Sequence, residues 1–109
     1  TVADCGVPVF VTAAIDGSTL TLPAAAATNV DGCTLKIIYN GASAGALVDI
    51  TPIATDGVFG TCEGVAFSGT DDADIGLTKV TSIKGDYIEL TSSNSDWYVT
   101  GCEGIWANN

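Results

Sequence analysis

The chain has 109 residues, 47% of them hydrophobic and only 15% charged, and it carries a net charge of −10 with three lysines, no arginine and no histidine. That length supports one domain with a single modest core. A chain so poor in cations is excluded from binding the phosphate backbone of nucleic acid or an anionic membrane surface, both of which need several Lys or Arg contacts.

In chain order, the expected elements are short strands punctuated by turns. Val7, Val9 and Val11 alternate with Pro8, Phe10 and Thr12, a first strand whose proline places it at a sheet edge. Asp16-Gly17 turns into Ser18–Leu22, with Leu20 and Leu22 facing inward, and Pro23 closes it. Ala24–Ala27 is too short to nucleate a helix and reads as a loop or a single turn. After Asp31-Gly32, Thr34–Tyr39 alternates cleanly, with Leu35, Ile37 and Tyr39 on one face. Asn40-Gly41 ends it, and Leu47–Ile50 forms a strand stopped by Pro52. Val58–Gly69 reads as irregular, with a short strand at Val65–Phe67, followed by the acidic loop Gly69–Asp74. Ile75–Ile83 is a strand with Gly76 as a bulge site. Tyr87–Thr91 and Trp97–Thr100 make a hairpin around the polar run Ser92–Asp96. Ile105 and Trp106 close the chain.

About eight short strands with turn residues between them and no amphipathic helix predict one all-β domain over residues 1–109. The expected form is an antiparallel β-sandwich or jelly-roll-like barrel. Residues 1–7 form an extended N-terminal arm in this reading, and Thr1, Val2, Ala3 and Asp4 are candidate contacts to a neighbour. Mean hydropathy is +0.40, high for so small a protein. Trp97, Trp106, Phe59 and Phe67 together exceed what a thin core should hold, so part of the apolar surface is expected to be covered by other subunits. The start of the chain has neither a basic region nor an apolar run and does not read as a signal peptide. No stretch reaches the ~20 apolar residues of a membrane-spanning helix.

Cys5, Cys33, Cys62 and Cys102 lie 28, 29 and 40 residues apart in sequence. With no close Cys pair and no histidine this is not a zinc pattern, and two disulfides are expected. Three connectivities are open. The matching contexts Thr61-Cys62-Glu63-Gly64 and Gly101-Cys102-Glu103-Gly104 favour Cys62–Cys102 together with Cys5–Cys33.

The absence of histidine removes the usual general base and the Ser-His-Asp triad. Glu63 and Glu103 would face each other across the second bridge, yet so small a β domain has little room for a substrate cleft, and no enzyme is expected. Asp71, Asp72 and Asp74 are hard oxygen donors of the kind calcium takes, but their spacing does not fit a twelve-residue calcium loop. A solvated acidic loop is preferred, with no metal and no cofactor. Trp97, Tyr98 and Trp106 are the candidate aromatic surface for a sugar or a partner. The preferred arrangement places Trp97 and Val99 in the core, with Tyr98 toward solvent or a neighbouring subunit.

The order Thr19-Leu20-Thr21-Leu22-Pro23-Ala24, then Leu35-Lys36-Ile37-Ile38-Tyr39-Asn40-Gly41, then Gly85-Asp86-Tyr87-Ile88-Glu89-Leu90 with Trp97-Tyr98-Val99 resembles small β domains of tailed-bacteriophage virion proteins. These occur as capsid decoration (cement) proteins and as head domains of tail fibres. The resemblance implies a non-enzymatic structural protein that binds the major capsid protein on the outer capsid surface of the virion, as a homotrimer, and stabilises the shell. The alternative it implies is a receptor- or carbohydrate-binding head domain of a tail fibre or adhesin. The four cysteines and the acidic loop depart from that pattern.

Overall fold

A computed structural model describes residues 6, 8–11, 18–25, 33–41, 48–69, 74–77, 82–93 and 96–108. Ten strands form in chain order: β1 (Pro8–Val11), β2 (Ser18–Thr21), β3 (Thr34–Tyr39), β4 (Val48–Thr51), β5 (Val58–Cys62), β6 (Val65–Ser68), β7 (Ile75–Leu77), β8 (Tyr87–Ser93), β9 (Asp96–Glu103) and β10 (Trp106–Asn108). They build a six-stranded sheet in the order β1-β3-β8-β9-β5-β6 and a four-stranded sheet in the order β10-β7-β4-β2. The two pack as a sandwich, and the all-β expectation holds. Among the described residues no helix is long and apolar enough to cross a membrane.

Both sheets are mixed. β1 runs parallel to β3, β2 to β4 and β5 to β9, whereas the remaining neighbours are antiparallel. The reason lies in the path of the chain. Its first four strands alternate between the sheets, so β3 returns beside β1 after a crossover through β2, and β4 returns beside β2 in the same way. A parallel neighbour requires such a crossover, because a tight turn can only reverse direction.

The core follows from period-two alternation. In β3, Leu35, Ile37 and Tyr39 are buried while Lys36 and Ile38 are half-buried on the other face. In β8, Ile88 and Leu90 point inward, against Tyr87, Glu89 and Thr91 outward. Ile50, Ile75, Leu77 and Trp106 meet them from the smaller sheet. Trp97 and Trp106 are 0% and 1% exposed, and Phe67 is also buried. The core of one chain therefore does hold both indoles and Phe67, contrary to the expectation that so thin a core could not. Of the four bulky aromatics, only Phe59 lies outside it.

Two strands were not expected. β5 carries Gly60 at its centre, which breaks the alternation that would have announced it, and β10 is only three residues long. β7 covers only Ile75–Leu77, with Gly76 paired in regular register to Asp49 and Ala107 rather than bulged. Of the rest of the strand expected there, residues 78–81 lie outside the described residues and Ser82 and Ile83 are not in a strand. Pro8 stands where its type requires. Val11 O accepts from Asn40 N at 2.9 Å, so the odd residues of β1 face β3 and the proline nitrogen points away from the sheet, where no ladder donor is lost.

Candidate interaction surface

The outward face of the larger sheet is where side chains remain available to a partner. It is built around the β8–β9 hairpin, whose arms pair from Tyr87↔Glu103 to Ser93↔Asp96 with an irregularity between Glu89 and Leu90. Glu89 pairs with Gly101 and Leu90 with Val99, so Thr100 is the extra residue of a β-bulge. The bulge turns the Thr100 hydroxyl toward β8. It donates to Glu89 Oε1 at 2.9 Å and lies 3.0 Å from Thr91 Oγ1, which is in turn 3.2 Å from Thr34 Oγ1. A chain of hydroxyls thus runs over β3, β8 and β9 and ends on a carboxylate. Beside it, the Lys36 ammonium lies 4.3 Å from the centroid of the Tyr87 ring, a cation–π contact that fixes a side chain otherwise free to wander.

The aromatic part comes from β5 and β9. Phe59 pairs in register with Tyr98, and their rings stack with centroids 5.5 Å apart at an interplanar angle of 20°. The two remain 37% and 41% exposed. Gly69 closes against the Phe59 ring so tightly that a Cβ there would overlap it. Phe59 is held between Gly69 and Tyr98, and the stacked pair stays partly exposed on the sheet face. Phe10, on the outer face of edge strand β1, is the most exposed large apolar side chain described.

Both tryptophans are buried in the core, which for Trp97 is the arrangement preferred from the sequence. Trp97 Nε1 donates to Pro23 O at 3.3 Å and Trp106 Nε1 to Glu103 O at 3.0 Å. With their rings buried and their single donors engaged, neither presents a surface to a ligand. Of the three aromatic candidates only Tyr98 faces out, the arrangement in which Trp97 belongs to the core. Thr1, Val2, Ala3, Asp4 and Cys5 lie outside the described residues, as do Asp71 and Asp72.

Cys62 and Cys102 form a disulfide with Cα atoms 6.0 Å apart, the pairing indicated by their matching sequence contexts. Cys33 is also disulfide-bonded. The Cys62–Cys102 bridge extends the contact between β5 and β9, whose ladder register covers only Val58↔Trp97 and Phe59↔Tyr98. The buried carboxylates serve the backbone. Asp56 Oδ2 accepts from Ala25 N at 2.8 Å and Asp86 Oδ2 from Ile83 N at 2.9 Å, while half-buried Asp96 accepts from Gly57 N at 2.9 Å. Asp56 ties together two loop segments distant in sequence, Asp96 holds a loop to β9, and Asp86 fixes a turn, as buried polar groups generally must be satisfied. Glu63 is exposed in the β5–β6 turn and Glu103 is exposed near the end of β9. Among the described residues no group of three or more acidic or cysteine side chains could hold a metal ion.

Glu89 and Thr100 belong to this surface and were not singled out from the sequence, and Phe59 stood out there only as one of four bulky aromatics. The bulge that aims Thr100 and the parallel pairing that stacks Phe59 on Tyr98 are both tertiary events without a local signature. No family model, curated protein or solved structure matches the chain.

Proposed function

We propose that this protein is a structural virion protein, a capsid decoration protein that binds the outer surface of a tailed-phage capsid as a homotrimer and stabilises the shell. The observation that supports this most directly is the character of the outward sheet face. Its polar side chains are engaged with one another and its aromatic pair is braced, giving a stiff strip with Phe10, Phe59 and Tyr98 exposed. Side chains already held in place lose little further entropy when a partner covers them, which favours a protein–protein contact. The negative net charge keeps the uncovered surface solvated and self-repelling. The test is cosedimentation of the purified protein with expanded capsids of its source phage, alongside a thermal melt of those capsids. Binding and a raised capsid melting temperature are expected, and Tyr98→Ser should weaken both while leaving the fold intact. Failure of the unmodified protein to bind or stabilise the capsids would overturn the proposal.

A second reading, a carbohydrate- or receptor-binding head domain, draws on the partly exposed Tyr98 ring beside the Thr91 and Thr100 hydroxyls, since a pyranose stacks its C–H face on an aromatic ring and hydrogen-bonds at its rim. Glycan-array binding abolished by Tyr98→Ser would select it over the first.

A further inference from the structure

Gly101, on the outward face of β9, is a glycine that the backbone does not require. Gly60, Gly64 and Gly85 have positive φ, and Gly41 and Gly57 have no room for a Cβ. Gly101 is under neither constraint. Its φ is not positive, and a Cβ there would come no nearer than 3.7 Å to any atom beyond its chain neighbours. The adjacent bulge at Thr100 does not demand it either, because the glycine that a bulge needs is one with positive φ. Glycine inside a strand forfeits packing, and one without a backbone role is found where another group comes close.

The atoms nearest that absent Cβ define a gap in the sheet face. They are Glu89 Cβ at 3.7 Å, Tyr87 Cε2 at 3.8 Å and Glu89 Oε1 at 3.9 Å. Gly101 is thus the floor, with the edge of an aromatic ring and a carboxylate as walls. Both walls are held in place: Thr100 donates to Glu89 Oε1 at 2.9 Å, and the Lys36 ammonium sits over the Tyr87 ring. Lys36 stands opposite Glu89 in the ladder, yet its charge goes to the ring. An ionised carboxylate has acceptor sites beyond the one that Thr100 occupies. Glu103, exposed and paired with Tyr87, adds a second negative charge at the end of the gap.

We propose that this gap takes an arginine side chain of a protein partner. Its stem lies along the edge of Tyr87, and its guanidinium meets the Glu89 carboxylate as a planar fork. An ammonium would meet the same group only as a point charge, and a calcium ion would find too few oxygen ligands. The chain itself has no arginine, so the occupant is not a second copy. A net charge of −10 draws a basic partner surface toward it. The inference rests on the reading of this face as the protein's contact surface and adds the chemistry of the group that enters it.

The test titrates the full chain with the capped tripeptide acetyl-Gly-Arg-Gly-amide, followed by two-dimensional amide NMR. Shifts concentrated at Tyr87–Leu90 and Thr100–Glu103 are expected, and the citrulline analogue, which has the same shape without the charge, should give none. The lysine analogue should bind more weakly, and an equal response to it would overturn the choice of guanidinium. Gly101→Val fills the gap with a residue that favours strands. It should keep the melting temperature while weakening the arginine peptide by about tenfold or more, the worth of hydrogen bonds to a charged group. Should G101V fold poorly, Glu89→Gln decides the matter, with the same loss expected. Shifts spread evenly over the acidic surface, or a folded G101V or E89Q that binds like the unmodified protein, would overturn the proposal. The peptide assay needs no capsid: if it fails while capsids are bound, the arginine site alone falls, and in the reverse case the capsid reading does.

Discussion

The Cys62–Cys102 bridge gives the sharpest prediction about stability, because it reinforces a short ladder. β5 and its partner β6 join the rest of the larger sheet through a parallel register of two residue pairs, the Phe59–Tyr98 stack and this disulfide. The bond spans 40 residues of sequence. In the chain-entropy treatment, closing a loop of that size removes about 13 cal/mol/K from the unfolded ensemble, or about 4 kcal/mol at 25 °C. That is a large fraction of the ~5–15 kcal/mol that stabilises an ordinary domain. The variant C62A/C102A should therefore unfold in urea with its midpoint lowered by about 2 M, taking a slope of about 2 kcal/mol per molar for a chain of this size. The loss should also be uneven. Amide exchange should quicken first in β5 and β6, while the long antiparallel ladder of β3, β8 and β9 keeps its protection up to the global limit. A midpoint shift below about 0.5 M, or an equal loss of protection in β3 and in β5, would refute the reasoning, because the bridge would then not be what holds this hairpin in place.

Two further substitutions probe the frame. Trp97→Ala removes a fully buried indole that donates to Pro23 O and should cost about 3–5 kcal/mol, read by urea titration followed by circular dichroism; a loss below about 1 kcal/mol would mean that the ring is not packed as described. Glu63 and Gly64 both have positive φ, 50° and 83°, in a two-residue hairpin turn between Cys62 and Val65. That is the geometry in which Asn-Gly is preferred. Glu63→Asn should therefore stabilise by up to about 1 kcal/mol and raise the melting temperature by at most about 4–8 °C, and an unchanged or lower melting temperature would contradict it.

How much of this was readable beforehand depends on whether the determinant is local. β3 and β8 declare themselves because each is long enough for alternation to repeat, with Leu35-Ile37-Tyr39 and Ile88-Leu90 falling on one side. The repeated Cys-Glu-Gly context pointed to the correct disulfide. β5 stayed hidden because Gly60 removes the middle beat of its pattern, and β10 because three residues cannot establish a period. The mixed sheets were hidden for a different reason: nothing in a strand's own residues says which neighbour it will meet, or in which direction. The surface was the least legible part. Tyr98 was visible as an aromatic, but its stacking partner Phe59 lies far upstream and reaches it only through a parallel pairing.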